Sequence, residues 1–132
     1  MTMKIRKAAE DYLEAMLTLR EKHGYIRSID VAQQLGVTKP SVSYATKRLR
    51  ENGYITMDGD SYIILTDAGL EIARRMYQRH KLLTEVFIRL GVDAETARAD
   101  ACKVEHDLSE NTFAAICRHA GRCGSGDQGN LI

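Results

Sequence analysis

Tryptophan is absent and proline occurs once in these 132 residues, at Pro40. Long apolar runs are also missing. None approaches the ~18 residues that would suggest a bilayer-spanning helix, and Met1–Glu10 is too charged for a signal peptide. These absences predict a cytoplasmic protein without a membrane segment. Only three cysteines occur, Cys102, Cys117 and Cys123, an odd number placed late in the chain. That excludes a disulfide framework. No His-Glu-x-x-His stretch, Gly-x-Ser-x-Gly elbow or phosphate-binding loop appears, which argues against the common hydrolases and nucleotide enzymes. A large net charge is lacking too, at +1.

That balance hides an asymmetry. Residues 1–51 hold ten basic and six acidic residues, a balance of +4, and the remainder holds nine and twelve, a balance of −3. A basic front suits a surface that meets phosphates, although solvated faces often lean to one sign. The hydrophobic content of 44% and charged content of 28% are those of a globular chain.

Periodicity gives the architecture. Tyr12, Leu13, Met16 and Leu17 place a helix over 8–22, stopped by Gly24. Tyr25–Arg27 reads as a short strand, and Ser28 as the N-cap of a brief helix from Ile29 to Leu35. After Gly36, Thr38 caps a second helix with Pro40 in its first turn, running through Val42, Ala45 and Leu49 to Asn52-Gly53. Tyr54–Met57 and Tyr62–Leu65 flank the turn Asp58-Gly59-Asp60-Ser61 as a hairpin. A long helix follows from Thr66-Asp67, with Leu70, Ala73, Met76, His80, Leu83, Phe87 and Leu90 on one stripe, ended by Gly91. Asp93 caps a helix carrying Ala94, Ala97, Ala101, Val104 and Leu108, and Ser109 caps a last short one around Phe113 and Ile116. The sequence from Gly121 reads as a flexible tail. The predicted fold is mainly α: a winged helix-turn-helix domain over 1–66, a helical metal-binding and dimerisation domain over 67–120, and a tail over 121–132.

Two helices about a tight turn, followed directly by a hairpin, form the winged version of the helix-turn-helix. The second helix of that motif enters the DNA major groove and uses its N-terminal residues on base edges. Here these are Thr38, Lys39, Pro40, Ser41, Ser43 and Tyr44. Lys47, Arg48 and Arg50 lie further along for phosphates, and Lys4, Arg6 and Lys7 approach the backbone from the N-terminal segment. The acidic hairpin tip is repelled by phosphate unless it stands off the DNA or offers only backbone N–H groups. The plainer alternative is a three-helix packing unit with a solvated basic face.

Three fragments carry metal-donor atoms at helical spacing. Asp11 and Glu14 are i, i+3; Cys102, Glu105 and His106 are i, i+3, i+4; His80 interrupts the apolar stripe of the long helix. Each has an ordinary explanation alone: acidic residues near a helix N-terminus, a satisfied core histidine, a cysteine acting as a small hydrophobe. Together they offer carboxylates, imidazoles and a thiolate. Carboxylate and imidazole suit Mn²⁺ and Fe²⁺, and thiolate moves preference toward Fe²⁺, Co²⁺ or Zn²⁺.

The strings Glu10-Asp11-Tyr12-Leu13-Glu14-Ala15, Ile29-Asp30-Val31-Ala32, Leu35-Gly36-Val37, Pro40-Ser41-Val42-Ser43, Leu65-Thr66-Asp67-Ala68-Gly69, Arg79-His80-Lys81-Leu82-Leu83 and Glu105-His106-Asp107-Leu108-Ser109 resemble the diphtheria toxin repressor family, nearest its manganese transport regulator branch. The resemblance runs in order over residues 8–116. It implies a homodimer that binds double-stranded palindromic operator DNA when loaded with Mn²⁺ or Fe²⁺ and represses metal-uptake genes. It also implies that Asp11, Glu14, His80, Glu105 and His106 stand at ligand positions of the manganese branch. Cys102 stands where that branch usually has Glu and the iron-responsive branch has Cys, whereas the iron branch typically has Met at the position of Asp11. The ligand set therefore resembles a hybrid. The iron branch's additional site resembles an incomplete one here, with Thr84 and Arg98 at two of its ligand positions. The chain also ends before the small β-barrel third domain of some members.

Two other functions compete with this reading. A winged-helix regulator sensing a small molecule or redox state would use Cys117, His119 and Cys123. A metalloenzyme built on Glu105-His106 would need an open metal position and a placed base, for which no motif is present; the expectation is that the chain is not an enzyme.

Overall fold

Residues 7–120 are described by the computed structural model. Their elements, in order, are α1 (Lys7–His23), α2 (Ser28–Leu35), α3 (Lys39–Glu51), β1 (Ile55–Met57), β2 (Ile63–Leu65), α4 (Asp67–Arg89), α5 (Ala94–Val104) and α6 (Glu110–Ala120). Two compact units divide within α4, between Arg75 and Met76. Lys4, Arg6, Cys123 and the tail lie outside the described residues.

In the first unit the core is assembled from the apolar positions of α1, α2, α3 and the hairpin. Leu13, Met16, Ile26, Val31, Val42 and Ile55 are at most 1% exposed. Burying one such side chain is worth roughly 1.5–3 kcal/mol. The helix boundaries follow from local chemistry. Gly36 ends α2 in the left-handed region at φ 67°, a conformation that costs glycine nothing. Thr38 caps α3 by accepting the Ser41 N–H at 3.2 Å and donates its own hydroxyl to Ser41 Oγ at 3.0 Å. Pro40 sits in the first turn, where its missing N–H has no helical partner to lose. At the other end Asn52 Nδ2 donates to the Arg48 carbonyl at 2.8 Å.

The hairpin pairs antiparallel, Ile55 with Leu65, Thr56 with Ile64 and Met57 with Ile63. Asp58 Oδ1 closes its tip by accepting the N–H groups of Asp60 and Tyr62 at 2.8 and 3.0 Å. Thr66 then starts α4. Its hydroxyl donates to the Gly53 carbonyl at 2.7 Å and accepts the Gly69 N–H at 3.2 Å. Gly69 lies so close to the Tyr54 carbonyl that a Cβ would collide with it.

Three sequence expectations are corrected here. Tyr25–Arg27 is not a strand; a single hydrogen bond, from Ile63 N–H to the Ile26 carbonyl at 2.9 Å, joins it to the hairpin. Ser28 is the first helical residue of α2 rather than its cap. Arg27 holds the cap position without a side-chain cap bond and reaches Asp30 at 3.4 Å. Leu108 lies beyond α5, which ends at Val104.

In the second unit Met76, Leu82 and Leu83 of α4, Ala97 and Ala101 of α5 and Cys117 of α6 are buried. Leu90 was expected on the apolar stripe but is 75% exposed, because α4 has already ended at Arg89. Gly91, at φ 106°, turns the chain away. Asp93 caps α5 through the Thr96 N–H at 3.0 Å; that backbone hydrogen bond, with a further one from the Thr96 side chain, holds its carboxyl below the usual carboxylate range. Ser109 caps α6 by accepting the Thr112 N–H at 3.1 Å.

Candidate metal centre and nucleic-acid interface

The donor residues of the second unit come from α4 and from the end of α5. His80 projects from the middle of α4, one residue after the buried Arg79. Cys102 lies in the last turns of α5, and Glu105 is its C-cap, still in right-handed helical conformation with its N–H bonded to the Ala101 carbonyl. Helical i, i+3 spacing from Cys102 therefore holds as far as Glu105. His106 follows in a turn, beyond the helix that the spacing had assigned to it.

These positions converge. His80 Nδ1 lies 3.0 Å from Glu105 Oε1, and His106 Nε2 lies 3.5 Å from Glu105 Oε2. One donor atom each from His80, Cys102 and Glu105 lies within 4.8 Å of the others. The Glu105 side chain is fully buried and that of His80 is a quarter exposed, while Cys102 is exposed. A carboxylate between two imidazoles with a thiol alongside is a donor set for a borderline transition ion. The residues present thus fit a divalent metal. Asp11 and Glu14 sit half-buried on α1 of the first unit, three residues apart.

In the first unit the residues expected to meet DNA lie at the surface of α3 and its cap. Thr38, Lys39, Pro40, Ser41, Ser43, Tyr44 and Lys47 are all exposed, as is Lys7 at the start of α1. Tyr44 is 64% exposed, and the Arg48 guanidinium carbon sits 5.7 Å from its ring centroid. Thr38 and Ser41 are engaged with each other as the helix cap, which orients both hydroxyls. Arg50, expected to hold phosphate, points its guanidinium at Met57 Sδ at 3.1 Å. Sequence reasoning missed an aromatic cluster: His23 stacks on Tyr25, Tyr25 meets Tyr62, and Arg27 lies over the Tyr25 ring at 5.2 Å. It also missed Arg79, whose signal was a cation three residues after the buried Met76 and three before Leu82.

Comparison with known proteins gives this geometry its context. Residues 4–62 match the iron dependent repressor N-terminal DNA binding domain, and residues 66–132 match the iron dependent repressor metal binding and dimerisation domain. The chain belongs to the iron-dependent repressor family. That family comprises metal-dependent transcriptional repressors and not enzymes, and the resemblance to the diphtheria toxin repressor and manganese regulator group holds. The transcriptional regulator MntR of Escherichia coli O157:H7 is 36% identical to the repressor over 111 residues, 84% of this chain and 72% of that protein. The HTH-type transcriptional regulator MntR of Bacillus subtilis is 35% identical over 107 residues, 81% and 75% of the two chains.

Among solved structures, a manganese-dependent transcriptional repressor in complex with manganese is 29% identical, with a TM-score of 0.76 over 90% of this chain. IdeR of T. acidophilum shares the fold at a TM-score of 0.77 and 23% identity over 99% of this chain. The repressor spans 56% and 64% of the lengths of those two solved chains. The mainly α fold, a winged helix-turn-helix followed by a helical dimerisation domain, is the family's. No helix among the described residues is long and apolar enough to cross a membrane.

Cys117 is fully buried on α6, and Cys123 lies outside the described residues.

Proposed function

We propose that the repressor is activated by Mn²⁺ or Fe²⁺, binds palindromic double-stranded operator DNA as a cytoplasmic homodimer, and shuts off metal uptake. The observation that carries this reading is the convergence of His80 and Cys102 on the buried Glu105 carboxylate. In the proposed division, 1–66 reads DNA and 67–120 binds metal and pairs subunits. His80, Cys102, Glu105 and His106 would hold the ion together with Asp11 and Glu14 from α1. A bound cation supplies positive charge and directional ligand bonds that these carboxylates cannot supply to one another.

The repressor's own residues account for the rest. Asp11 and Glu14 belong to the helix that buries Leu13 and Met16 in the reading unit, so holding these carboxylates holds that unit. In a twofold dimer the two α3 helices must present Lys39, Ser41, Ser43 and Tyr44 about one DNA turn apart, ~34 Å, or a multiple of it. Ligands drawn from both units narrow the range of spacings, so metal affinity and operator affinity are linked. The Cys102 thiol at the exposed rim biases selection toward softer ions than an all-oxygen and imidazole set would.

The test is operator binding by full-length protein with and without metal. Asp11→Ala and His106→Ala should bind operator poorly at Mn²⁺ or Fe²⁺ levels that saturate the wild type. Equal operator affinity in chelator and in metal would reject the reading. Titration with Mn²⁺, Fe²⁺, Co²⁺ and Zn²⁺ against the same DNA ranks the metals.

A further inference from the structure

The chain between α5 and α6 makes a tight corner. Glu105 caps α5, Asp107 N–H bonds back to the Val104 carbonyl at 2.9 Å, and α6 begins at Glu110. Such a corner strands carbonyl groups that have no helical partner. Two of them are taken by one nitrogen. Arg79 Nη1 donates to the Glu105 carbonyl at 2.9 Å and to the Leu108 carbonyl at 2.8 Å. The same guanidinium places Nη2 3.5 Å from Glu110 Oε2 and its central carbon 5.1 Å from the Phe113 ring centroid.

This arrangement is costly as packing alone. The Arg79 side chain is only 5% exposed, and its Nε is buried without a hydrogen-bond partner. Exchanging a buried charge for well-packed apolar groups of similar volume is often neutral or stabilising, and an unsatisfied buried N–H costs more still. Arg79 also lies between Met76 and Leu82 on the buried side of α4, where an aliphatic side chain is the cheaper occupant. Stability gives little reason for an arginine there.

We propose that Arg79 is the positioning residue of the metal centre: its guanidinium fixes the Glu105–Leu108 corner and thereby sets the Glu105 carboxylate and the His106 imidazole beside His80. The proposal rests on the reading of those three residues as ligands. Consecutive residues of α4 then do two jobs. His80 offers a donor atom, and Arg79 grips the backbone of the residue whose carboxylate lies 3.0 Å from that donor. A planar fork with donors on two nitrogens is what spans both carbonyls and Glu110 together; an ammonium on a shorter stem lacks that shape. Sites of this kind need their ligands held to within a fraction of an ångström, and a corner with loose carbonyls does not do that.

The experiment uses full-length wild type, Arg79→Met, Arg79→Lys and Glu105→Gln. Each is titrated with Mn²⁺, read by the spin-resonance signal of the free ion, and with Co²⁺, read by its visible absorption. Metal-free helix content and melting are recorded alongside. Arg79→Met is expected to stay helical yet bind Mn²⁺ about 10- to 100-fold more weakly, with a displaced Co²⁺ spectrum, and Arg79→Lys to fall between it and the wild type. Wild-type affinity and spectrum in folded Arg79→Met overturn the proposal. If Arg79→Met does not fold, Arg79→Lys decides on the same criterion: wild-type binding overturns it, and weaker binding with an unchanged metal-free melt supports it. If Glu105→Gln itself binds like wild type, the ligand assignment fails first and the positioning role falls with it.

Discussion

Replacing Glu105 by Gln separates the metal role of this residue from its structural one. The carboxylate is fully buried, 3.0 Å from His80 and 3.5 Å from His106. In metal-free protein the substitution removes hydrogen bonds to a charged group, worth about 1.5–3 kcal/mol. It also removes the desolvation penalty of a buried ion, several kcal/mol in the opposite direction. The two nearly offset, so metal-free stability should change by no more than about 2 kcal/mol. Metal-loaded stability behaves differently. With Mn²⁺ at about 100 times the wild-type Kd, binding adds about 2.7 kcal/mol to the folded state. A 100-fold weaker site at the same concentration adds only about 0.4 kcal/mol. Urea denaturation of both proteins, in chelator and in Mn²⁺, measures all four values. A variant that keeps more than about 2 kcal/mol of metal-dependent stabilisation refutes Glu105 as a ligand. A variant that loses over about 4 kcal/mol in chelator assigns Glu105 a structural role instead.

Three further outcomes follow from the fold. Gly69→Ala forces a methyl group against the Tyr54 carbonyl, itself bonded to Thr66 N–H at 3.1 Å, and should cost about 1–3 kcal/mol in urea denaturation. Lys47→Ala, on the exposed face of α3, should weaken binding to operator and unrelated DNA alike and lower the slope of log K against log salt by about 0.9; a loss confined to operator would contradict a phosphate contact. Asp93 has its carboxyl held below the ordinary range by the Thr96 N–H, so its contribution is present above the unfolded pKa and lost as pH falls through the folded one. Asp93→Asn keeps a capping side chain and should flatten that acid-side loss in melts between neutral and acid pH.

How much was legible in advance depended on whether the cause was local. Thr38, Asp93 and Ser109 cap helices through their own next turn, and the glycines at 36, 53 and 91 end them, so those boundaries were readable from short windows. The hairpin was readable because its alternation changes period abruptly after Gly53. Ser28 misled because a capping side chain needs an extended backbone, and the chain had already entered helix there. Tyr25–Arg27 misled because its apolar residue is buried without a second strand to pair with. In the metal centre, the donors of α4 and α5 could be named from spacing, since helical geometry carries Cys102 to Glu105. His106 leaves the helix, so the same rule does not account for its place beside Glu105. For Arg79 only the odd position of a cation on the apolar stripe was legible; its partners were not, because they are carbonyls 26 and 29 residues away and backbone acceptors leave no mark in a sequence.

The wing tip has a further implication for what its sequence can tolerate. Asp58 spends its acceptor atom on the loop's own amides, so the loop's shape is maintained from within. Asp60 is exposed and can vary on that frame, whereas Ser61, at φ 67°, holds a left-handed conformation that limits what can replace it. A charge change at Asp60 should therefore alter the tip's surface and leave the hairpin's shape intact.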